Sequence, residues 1–275
     1  MINYIYNRSA KFTCSLILLF LLTGCVAPST FLLQHANTFD FERIELPGKA
    51  FTHISFQKKA RKNKRLHVYI EGDGRPWIQR VFPATDPSPR ASIMFRLMNM
   101  DNQNSLYLGR PCYLGQAHSP PCKTLHWTHQ RHSEEIVLSM ATALKHFLQN
   151  NPTNELVFIG HSGGGALAML LARHFPKTSA IVTLGGNLDI DAWVQHHGYT
   201  PLRGSLNPAT LPPYPPTVLQ IHVGGEKDKT IPPELIKTAL ANQPHSEFIL
   251  LEGATHTCCW KRIWPKILKR LDEKS

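Results

Sequence analysis

One serine of this chain stands in a pattern typical of a nucleophile. Ser162 lies in the pentapeptide Gly-His-Ser-Gly-Gly, between a strand-like apolar run at 156–159 and a helix-like run at 166–174. A Gly-x-Ser-x-Gly sequence in this context forms a sharp turn that exposes the serine hydroxyl, and the glycines at 160 and 163 remove side chains that would collide there. The helix that follows directs its free N–H groups at negative charge developing beside the serine.

A serine nucleophile needs a base to accept its proton and an acid to orient that base. In this strand–turn–helix architecture the acid and then the histidine follow the serine along the chain. Asp228 follows the strand-like run 217–223, and His256 follows the run 247–251. Both lie at the carboxyl end of a predicted strand, where ligands gather in open α/β sheets. We therefore expect Ser162, His256 and Asp228 to act as nucleophile, base and acid.

Other residues compete for these roles. Asp189 is the alternative acid and Asp191 a third candidate, although both precede a predicted helix that they are expected to cap. Glu226 is close to Asp228 in sequence, but Asp228 matches the Gly-x-x-Asp-x-x-Ile-Pro pattern better. His161, beside the nucleophile, is expected to pack or to form a hydrogen bond.

An oxyanion hole requires two backbone N–H groups that converge on the developing charge. The amide of Gly163 is the expected first donor. The second is expected from the Glu-Gly-Asp-Gly loop after an earlier strand, with Asp73 preferred over its neighbours Gly72 and Gly74. A carboxylate at Asp73 would repel an oxyanion unless it is paired or turned away, and Arg75 is the expected partner.

Together these residues resemble the α/β-hydrolase superfamily over about residues 39 to 273. The superfamily usually has His-Gly in the oxyanion loop, where this chain has Glu71 and Gly72. Segments 108–112 and 186–189 are similar to those of small bacterial lipoprotein hydrolases. The resemblance implies an α/β fold with a mostly parallel central sheet flanked by helices, and a carboxylesterase reaction through an acyl-enzyme.

The alternation of strand-like and helix-like runs independently indicates a mostly parallel sheet. Helices are predicted at 91–100, 134–149, 164–174, 233–241 and 260–271, with Pro265 expected to kink the last or delay its start. The Pro-rich segment 198–216 is expected to form a loop over the site and is too short for a large lid. Residues 39–275 are thus predicted to be one α/β-hydrolase domain that acts on small or medium acyl substrates.

The amino terminus has the pattern of an export signal. Arg8 and Lys11 precede an apolar stretch at 12–22, which is shorter than the roughly 20 residues that span a bilayer. Leu-Thr-Gly-Cys, ending at Cys25, is similar to the bacterial lipobox. The resemblance implies that residues 1–24 are a signal peptide, that Cys25 carries lipid, and that 25–38 form a short polar tether. Multiple acyl chains of this kind hold a protein firmly on a membrane.

The predicted location is the bacterial envelope. Val26 after the anchor favours the periplasmic face of the outer membrane in a Gram-negative cell. Loss of Arg8 and Lys11 lowers the formal charge from +11 to +9. The basic segment Lys58–Arg65 is expected to be a solvated hairpin turn that also contacts anionic lipid headgroups. Nucleic acid is not an expected partner in this compartment.

The cysteines agree with an oxidising compartment. Cys112 and Cys122 are predicted to form a disulfide. Cys258 and Cys259 are expected either to be free or to join the histidine loop to the 112–122 loop.

Three histidines, at 126, 129 and 132, are spaced so that a helix would place them on one face. No carboxylate or cysteine completes a metal site, so hydrogen bonding is expected there, without metal or cofactor. The same fold also serves catalytically silent binding or assembly modules, and the same residues would suit a thioesterase, an amidase or an acyltransferase. These alternatives remain open at this stage.

Overall fold

The computed structural model describes residues 26–60 and 62–274. The predicted signal peptide, 1–24, and the predicted lipid anchor, Cys25, lie outside the described residues. Within the described ranges, no helix is both long enough and apolar enough to cross a membrane.

An eight-stranded sheet forms the centre of the molecule. The strands of the protein in chain order are β1 (Glu42–Pro47), β2 (Thr52–Lys58), β3 (Lys62–Ile70), β4 (Trp77–Ile78), β5 (Phe82–Pro83), β6 (Gln103–Tyr107), β7 (Glu155–His161), β8 (Thr178–Leu184), β9 (Leu219–Gly225) and β10 (Ser246–Leu251). The order across the sheet is β1-β2-β6-β3-β7-β8-β9-β10, and β4 pairs with β5 in a separate two-stranded ribbon. In the main sheet β2 is antiparallel to β1 and β6, and the other neighbouring strands are parallel to each other, which confirms the predicted mostly parallel sheet.

Helices cover both faces of the sheet. They are α1 (Pro28–Ala36), α2 (Ile93–Asn99), α3 (Glu134–Asn150), α4 (Gly163–Ala172), α5 (Ile190–His197), α6 (Pro233–Ala239) and α7 (Trp260–Glu273). One hydrophobic cluster contains residues of α3, α4 and α6, and a second contains residues of α1, α2 and α7. Successive residues of β7 alternate between the clusters, because side chains of a strand point to opposite faces in turn. The central residues of β7, 156–159, are therefore all apolar.

The segment predicted to be a polar tether folds differently from that prediction. Residues 28–36 form helix α1, whose Leu32 and Ala36 are buried in the same cluster as Phe95 of α2. The last helix begins at Trp260 and continues through Pro265, so its start is not delayed.

The basic segment Lys58–Arg65 is not a hairpin, because β6 lies between β2 and β3 in the sheet. The ammonium group of Lys58 donates to the carbonyl oxygen of Asn99 at 2.8 Å, at the end of α2. Arg65 forms an ion pair with Glu155 at 2.8 Å. Arg61 lies outside the described residues. Two of the basic residues expected to face lipid are thus engaged within the protein.

Candidate active site

The turn that carries Ser162 joins β7 to α4. Ser162 has φ 55° and ψ −124°, a backbone conformation that costs a non-glycine residue about 1–3 kcal/mol. A Cβ at Gly160 would lie 2.1 Å from the carbonyl oxygen of Gly164. The chain therefore requires glycine there to hold the serine at the mouth of the sheet.

The structure brings Ser162, His256 and Asp228 together. His256 Nε2 lies 3.0 Å from Ser162 Oγ, and its Nδ1 lies 2.8 Å from Asp228 Oδ2. The other carboxylate oxygen of Asp228 accepts hydrogen bonds from the amides of Thr230 and Ile231, at 2.8 and 2.9 Å. Asp228 is buried, so these bonds fix its orientation. The distances suit proton transfer from the serine to an imidazole held by a carboxylate.

His161 and Trp260 hold the backbone of His256. His161 Nε2 lies 2.8 Å from the carbonyl oxygen of His256, and the indole N–H of Trp260 donates to the same oxygen at 2.9 Å. Burial, together with the neighbouring His256, lowers the pKa of His161 to about 3. His161 is therefore neutral, with Nε2 as the donor. This agrees with the hydrogen-bonding role expected for it.

The loop after β3 lies directly against the nucleophile. A Cβ at Gly72 would lie 3.1 Å from Ser162 Cβ. The Gly72 amide donates to the carboxylate of Glu71 at 3.2 Å, so Asp73 is a better candidate donor than Gly72. Gly163 is the first residue of α4, so its N–H has no acceptor within the helix.

The carboxylate of Asp73 is neutralised by residues other than Arg75. Its oxygens accept hydrogen bonds from Arg110 at 2.5 Å and Arg131 at 3.0 Å, and His132 Nε2 lies 3.3 Å away. Burial alone would raise the pKa of Asp73, but the two guanidinium groups outweigh it and hold the pKa well below its usual range. The expectation that Arg75 pairs with Asp73 is therefore wrong. The contacts of Asp73 with Arg110, Arg131 and His132 were not predicted from the sequence, since these residues lie in irregular segments distant from the loop.

Glu71 stands where the superfamily that this sequence resembles usually has histidine, and it binds the start of a helix. Its carboxyl group binds the hydroxyl of Ser92, the residue that precedes α2, and accepts from the amide of Met94 at 3.3 Å. Burial raises the pKa of Glu71, although these hydrogen bonds act in the opposite direction. The Glu71 carboxyl group thus stabilises the start of α2.

The competing acids have other partners. Asp189 caps α5, as predicted, by accepting from the Ala192 amide at 3.1 Å. Asn207 donates to both Asp189 and Asp191 at 2.9 Å. Glu226 accepts from the amide of Gly253 at 2.7 Å.

The histidines at 126, 129 and 132 each contact a different polar partner. His126 Nδ1 accepts from the amide of Lys123 at 3.1 Å, and His129 Nδ1 lies 3.2 Å from the carbonyl oxygen of Pro201. His132 lies beside Asp73. In the part of the chain that the structure describes, no three His, Cys, Asp or Glu residues are arranged to hold a metal ion.

The predicted disulfide between Cys112 and Cys122 is present. It closes the loop next to Arg110 and Tyr113, and Tyr113 donates a hydrogen bond to the Asp73 carbonyl at 2.9 Å. Cys258 and Cys259 are bonded to each other, so neither expectation for this pair was right.

A cavity of about 720 Å³ opens over Ser162 and His256. The β4–β5 ribbon forms one wall through Trp77 and Val81, and the segment 199–202 belongs to the Pro-rich loop predicted over the site. Charged, aromatic and aliphatic side chains share the lining, among them Arg75, Arg80, Trp193, Tyr199 and Leu202.

Comparison with known proteins establishes the fold. The model of the lipase (class 3) family matches residues 100–185, a segment that contains Ser162 and excludes Asp228 and His256. No curated protein matches the sequence.

Among solved structures, an esterase of Pyrococcus furiosus superposes with a TM-score of 0.57 at 12% identity, covering 92% of this chain and 94% of its own. A thermophilic esterase of Thermogutta terrifontis gives 0.55 at 14%, covering 85% and 99%. An acylaminoacyl peptidase of Pyrococcus horikoshii gives 0.57 at 11%, covering 86% of this chain and 42% of its own. The chain has the α/β-hydrolase fold, without a large lid.

Proposed function

We propose that this protein is a membrane-tethered serine hydrolase of the bacterial envelope, a carboxylesterase that acts on small or medium esters. One observation carries the proposal: His256 lies between Ser162 Oγ and a buried Asp228 carboxylate, at 3.0 and 2.8 Å. The lipase-family match and the esterases among the similar structures support hydrolysis as the reaction class.

In the proposed reaction, His256 Nε2 takes the proton of Ser162 as its Oγ attacks the ester carbonyl carbon. The amides of Gly163 and Asp73 stabilise the oxyanion. Collapse of the tetrahedral intermediate breaks the ester C–O bond, and the proton on Nε2 passes to the leaving alcohol. Water, deprotonated by the same nitrogen, then releases the acid and restores the serine. Asp228 keeps Nδ1 protonated and stabilises the imidazolium in both steps.

The loop around Asp73 suits this reaction because its carboxylate is already paired. Arg110 and Arg131 hold the charge of Asp73, so the carboxylate does not oppose an oxyanion as an isolated one would. The cavity of about 720 Å³ lies in the usual size range of small-molecule sites, which supports small or medium substrates.

The tether is proposed from the lipobox and from the residues that follow it. Cys25 would carry the lipid on the periplasmic side of the outer membrane. Mass spectrometry of the mature amino-terminal peptide tests this, with a diacylglyceryl modification on Cys25 expected. A mature amino-terminal peptide that carries no lipid on Cys25 would refute the anchor.

A fluorophosphonate probe tests the catalytic proposal, because it reacts covalently with an activated serine. Wild-type protein should be labelled, and Ser162→Ala should not. Ser179→Ala, at a serine in β8 outside the cavity, is the matched control and should be labelled like wild type. Folded wild-type protein that remains unlabelled would overturn the enzyme proposal and favour a silent binding or assembly module.

A further inference from the structure

The β4–β5 ribbon presents an unusual outer surface. Ile78 and Phe82 are opposite each other in the ribbon and are 46% and 61% exposed, and Val81 at the turn is 65% exposed. Trp77, on the alternate face, lines the cavity. Trp77 and Val81 thus bound the site, whereas Ile78 and Phe82 are exposed outside the cavity lining. Clustered exposure of this kind marks an interaction surface in a soluble domain.

Three arginines lie close to this apolar surface along the chain, and two of them, Arg75 and Arg80, also line the cavity. Arg80 lies in the turn between the two strands, Arg75 precedes the ribbon, and Arg90 follows it. Within the described residues, none of the three forms an ion pair with a carboxylate. Exposed apolar side chains near guanidinium groups that have no carboxylate partner suit the boundary between the acyl chains and headgroups of an anionic bilayer.

The amino-terminal end of the described chain contacts the segment that follows the ribbon. The amide of Ser29 donates to Asp86 at 2.8 Å, and the guanidinium of Arg90 lies 5.3 Å from the ring centroid of Phe31. Phe31 and Val26 are themselves 37% and 50% exposed.

Cys25 precedes Ser29 by four residues, and an extended chain of that length covers at most about 14 Å. A lipid on Cys25 is therefore confined to the side of the molecule that carries the ribbon. The start of β3, which belongs to the basic segment Lys58–Arg65, lies at the opposite end of the strand from the oxyanion loop. Nine residues of strand separate the two ends by about 30 Å.

We propose that the outer face of the β4–β5 ribbon, with Ile78 and Phe82 at its centre, docks into an anionic lipid bilayer and turns the mouth of the active site toward the membrane surface. The direction of the mouth rests on the proposed function, which supplies the anchor at Cys25. Ester substrates that partition into the bilayer then reach Ser162 without crossing the aqueous phase.

The test uses the mature chain with Cys25→Ser, which removes the lipid and keeps every described element. It is mixed with vesicles of phosphatidylcholine alone or with phosphatidylglycerol, and bound protein is measured by sedimentation. Binding to the phosphatidylglycerol vesicles is expected, with a tenfold or greater loss in Ile78→Ser/Phe82→Ser. Leu250→Ser is the matched control: Leu250 is 47% exposed on the edge strand β10, and its replacement should change binding less than twofold.

Equal vesicle binding by the ribbon variant and its parent would overturn the proposal, as would an absence of binding in the parent. A dimer in the parent that becomes a monomer in the ribbon variant would show that a second copy covers this face, and would also overturn it. Ile78 and Phe82 do not line the cavity, so fluorophosphonate labelling of the variant should equal that of its parent. Loss of labelling in both proteins would refute the proposed function and leave the vesicle result to be judged by itself.

Discussion

Asp73→Asn tests whether charge pairing holds the oxyanion loop in place. The change keeps the shape of the side chain and removes the carboxylate that contacts Arg110 and Arg131. These two arginine side chains are only 3% and 4% exposed, so water cannot replace the lost charge effectively. Breaking a buried ion pair by removing one partner costs about 3–5 kcal/mol.

The lower end of that range is expected for this site. Arg110 still donates to the carbonyl oxygen of Arg131 at 3.0 Å, and Arg131 to that of Thr128 at 2.6 Å. An asparagine oxygen also still accepts one hydrogen bond. We therefore expect a loss of about 3 kcal/mol from the free energy of unfolding, which a domain with a typical stability of about 5–15 kcal/mol survives.

Urea unfolding at pH 7 measures this loss. Asp191→Asn is the matched control, because Asp191 is exposed and accepts one hydrogen bond from Asn207. Its replacement should change stability by no more than about 0.5 kcal/mol. If the two variants unfold at the same urea concentration, the reasoning about the buried pair is refuted.

The pH dependence gives a second, independent check on Asp73. Its pKa is depressed in the folded state, so the carboxylate stabilises the fold above its unfolded pKa of about 3.9. That stability is lost as the pH falls toward the folded pKa. The difference between wild type and Asp73→Asn should therefore be constant from pH 7 to about 5 and shrink below about pH 4. A difference that stays constant to pH 3 would contradict an ionised Asp73.

Three further changes test other parts of the site. Asp228→Asn should lower kcat by about 10⁴-fold with the fold retained, because the amide favours the wrong tautomer of His256; a change in ester hydrolysis below tenfold would argue against Asp228 as the acid. His161→Phe removes a donor to the His256 carbonyl and should lower kcat about tenfold, equal to ~1.4 kcal/mol, with KM unchanged; an unchanged kcat would show that Trp260 alone suffices. Cys112→Ser/Cys122→Ser should lower stability by about 3 kcal/mol in urea unfolding, whereas an unchanged midpoint would show that the loop needs no crosslink.

The sequence predicted the approach of Ser162, Asp228 and His256 because each residue follows a strand. Parallel strands bring their carboxyl ends to one edge, so local motifs at three strand ends converge without any knowledge of side-chain contacts. The sequence contained no comparable local motif for the partners of Asp73. Gly74, with φ +64°, turns the chain between Asp73 and Arg75, and the Arg75 amide then binds the carbonyl oxygen of Pro87. Asp73 and Arg75, although close in sequence, therefore do not form an ion pair.

Helix α1 was missed for a related reason. A nine-residue helix is marginal by itself in water, so its stability depends on packing against other elements. Leu32 and Ala36 supply that packing by joining the cluster that contains Phe95, more than fifty residues along the chain. Polar neighbours such as Gln34 and His35 made the segment resemble a tether. The spacing of Leu32 and Ala36 by one helical turn was the available signal.

The sequence and the fold indicate a reaction more strongly than a substrate, because different parts of the chain position the candidate catalytic residues and line the cavity. The Ser162 turn, the Asp228 loop and the His256 loop are positioned by β7, β9 and β10, which belong to the central sheet. The cavity walls come instead from the β4–β5 ribbon and the 199–202 segment, which are attached to the sheet as connections. Connections vary in length and sequence more freely than the elements that they join. Esterases and an acylaminoacyl peptidase accordingly share this fold. The acyl group that the proposed hydrolase would accept depends on residues such as Trp77 and Tyr199, for which the sheet imposes no choice.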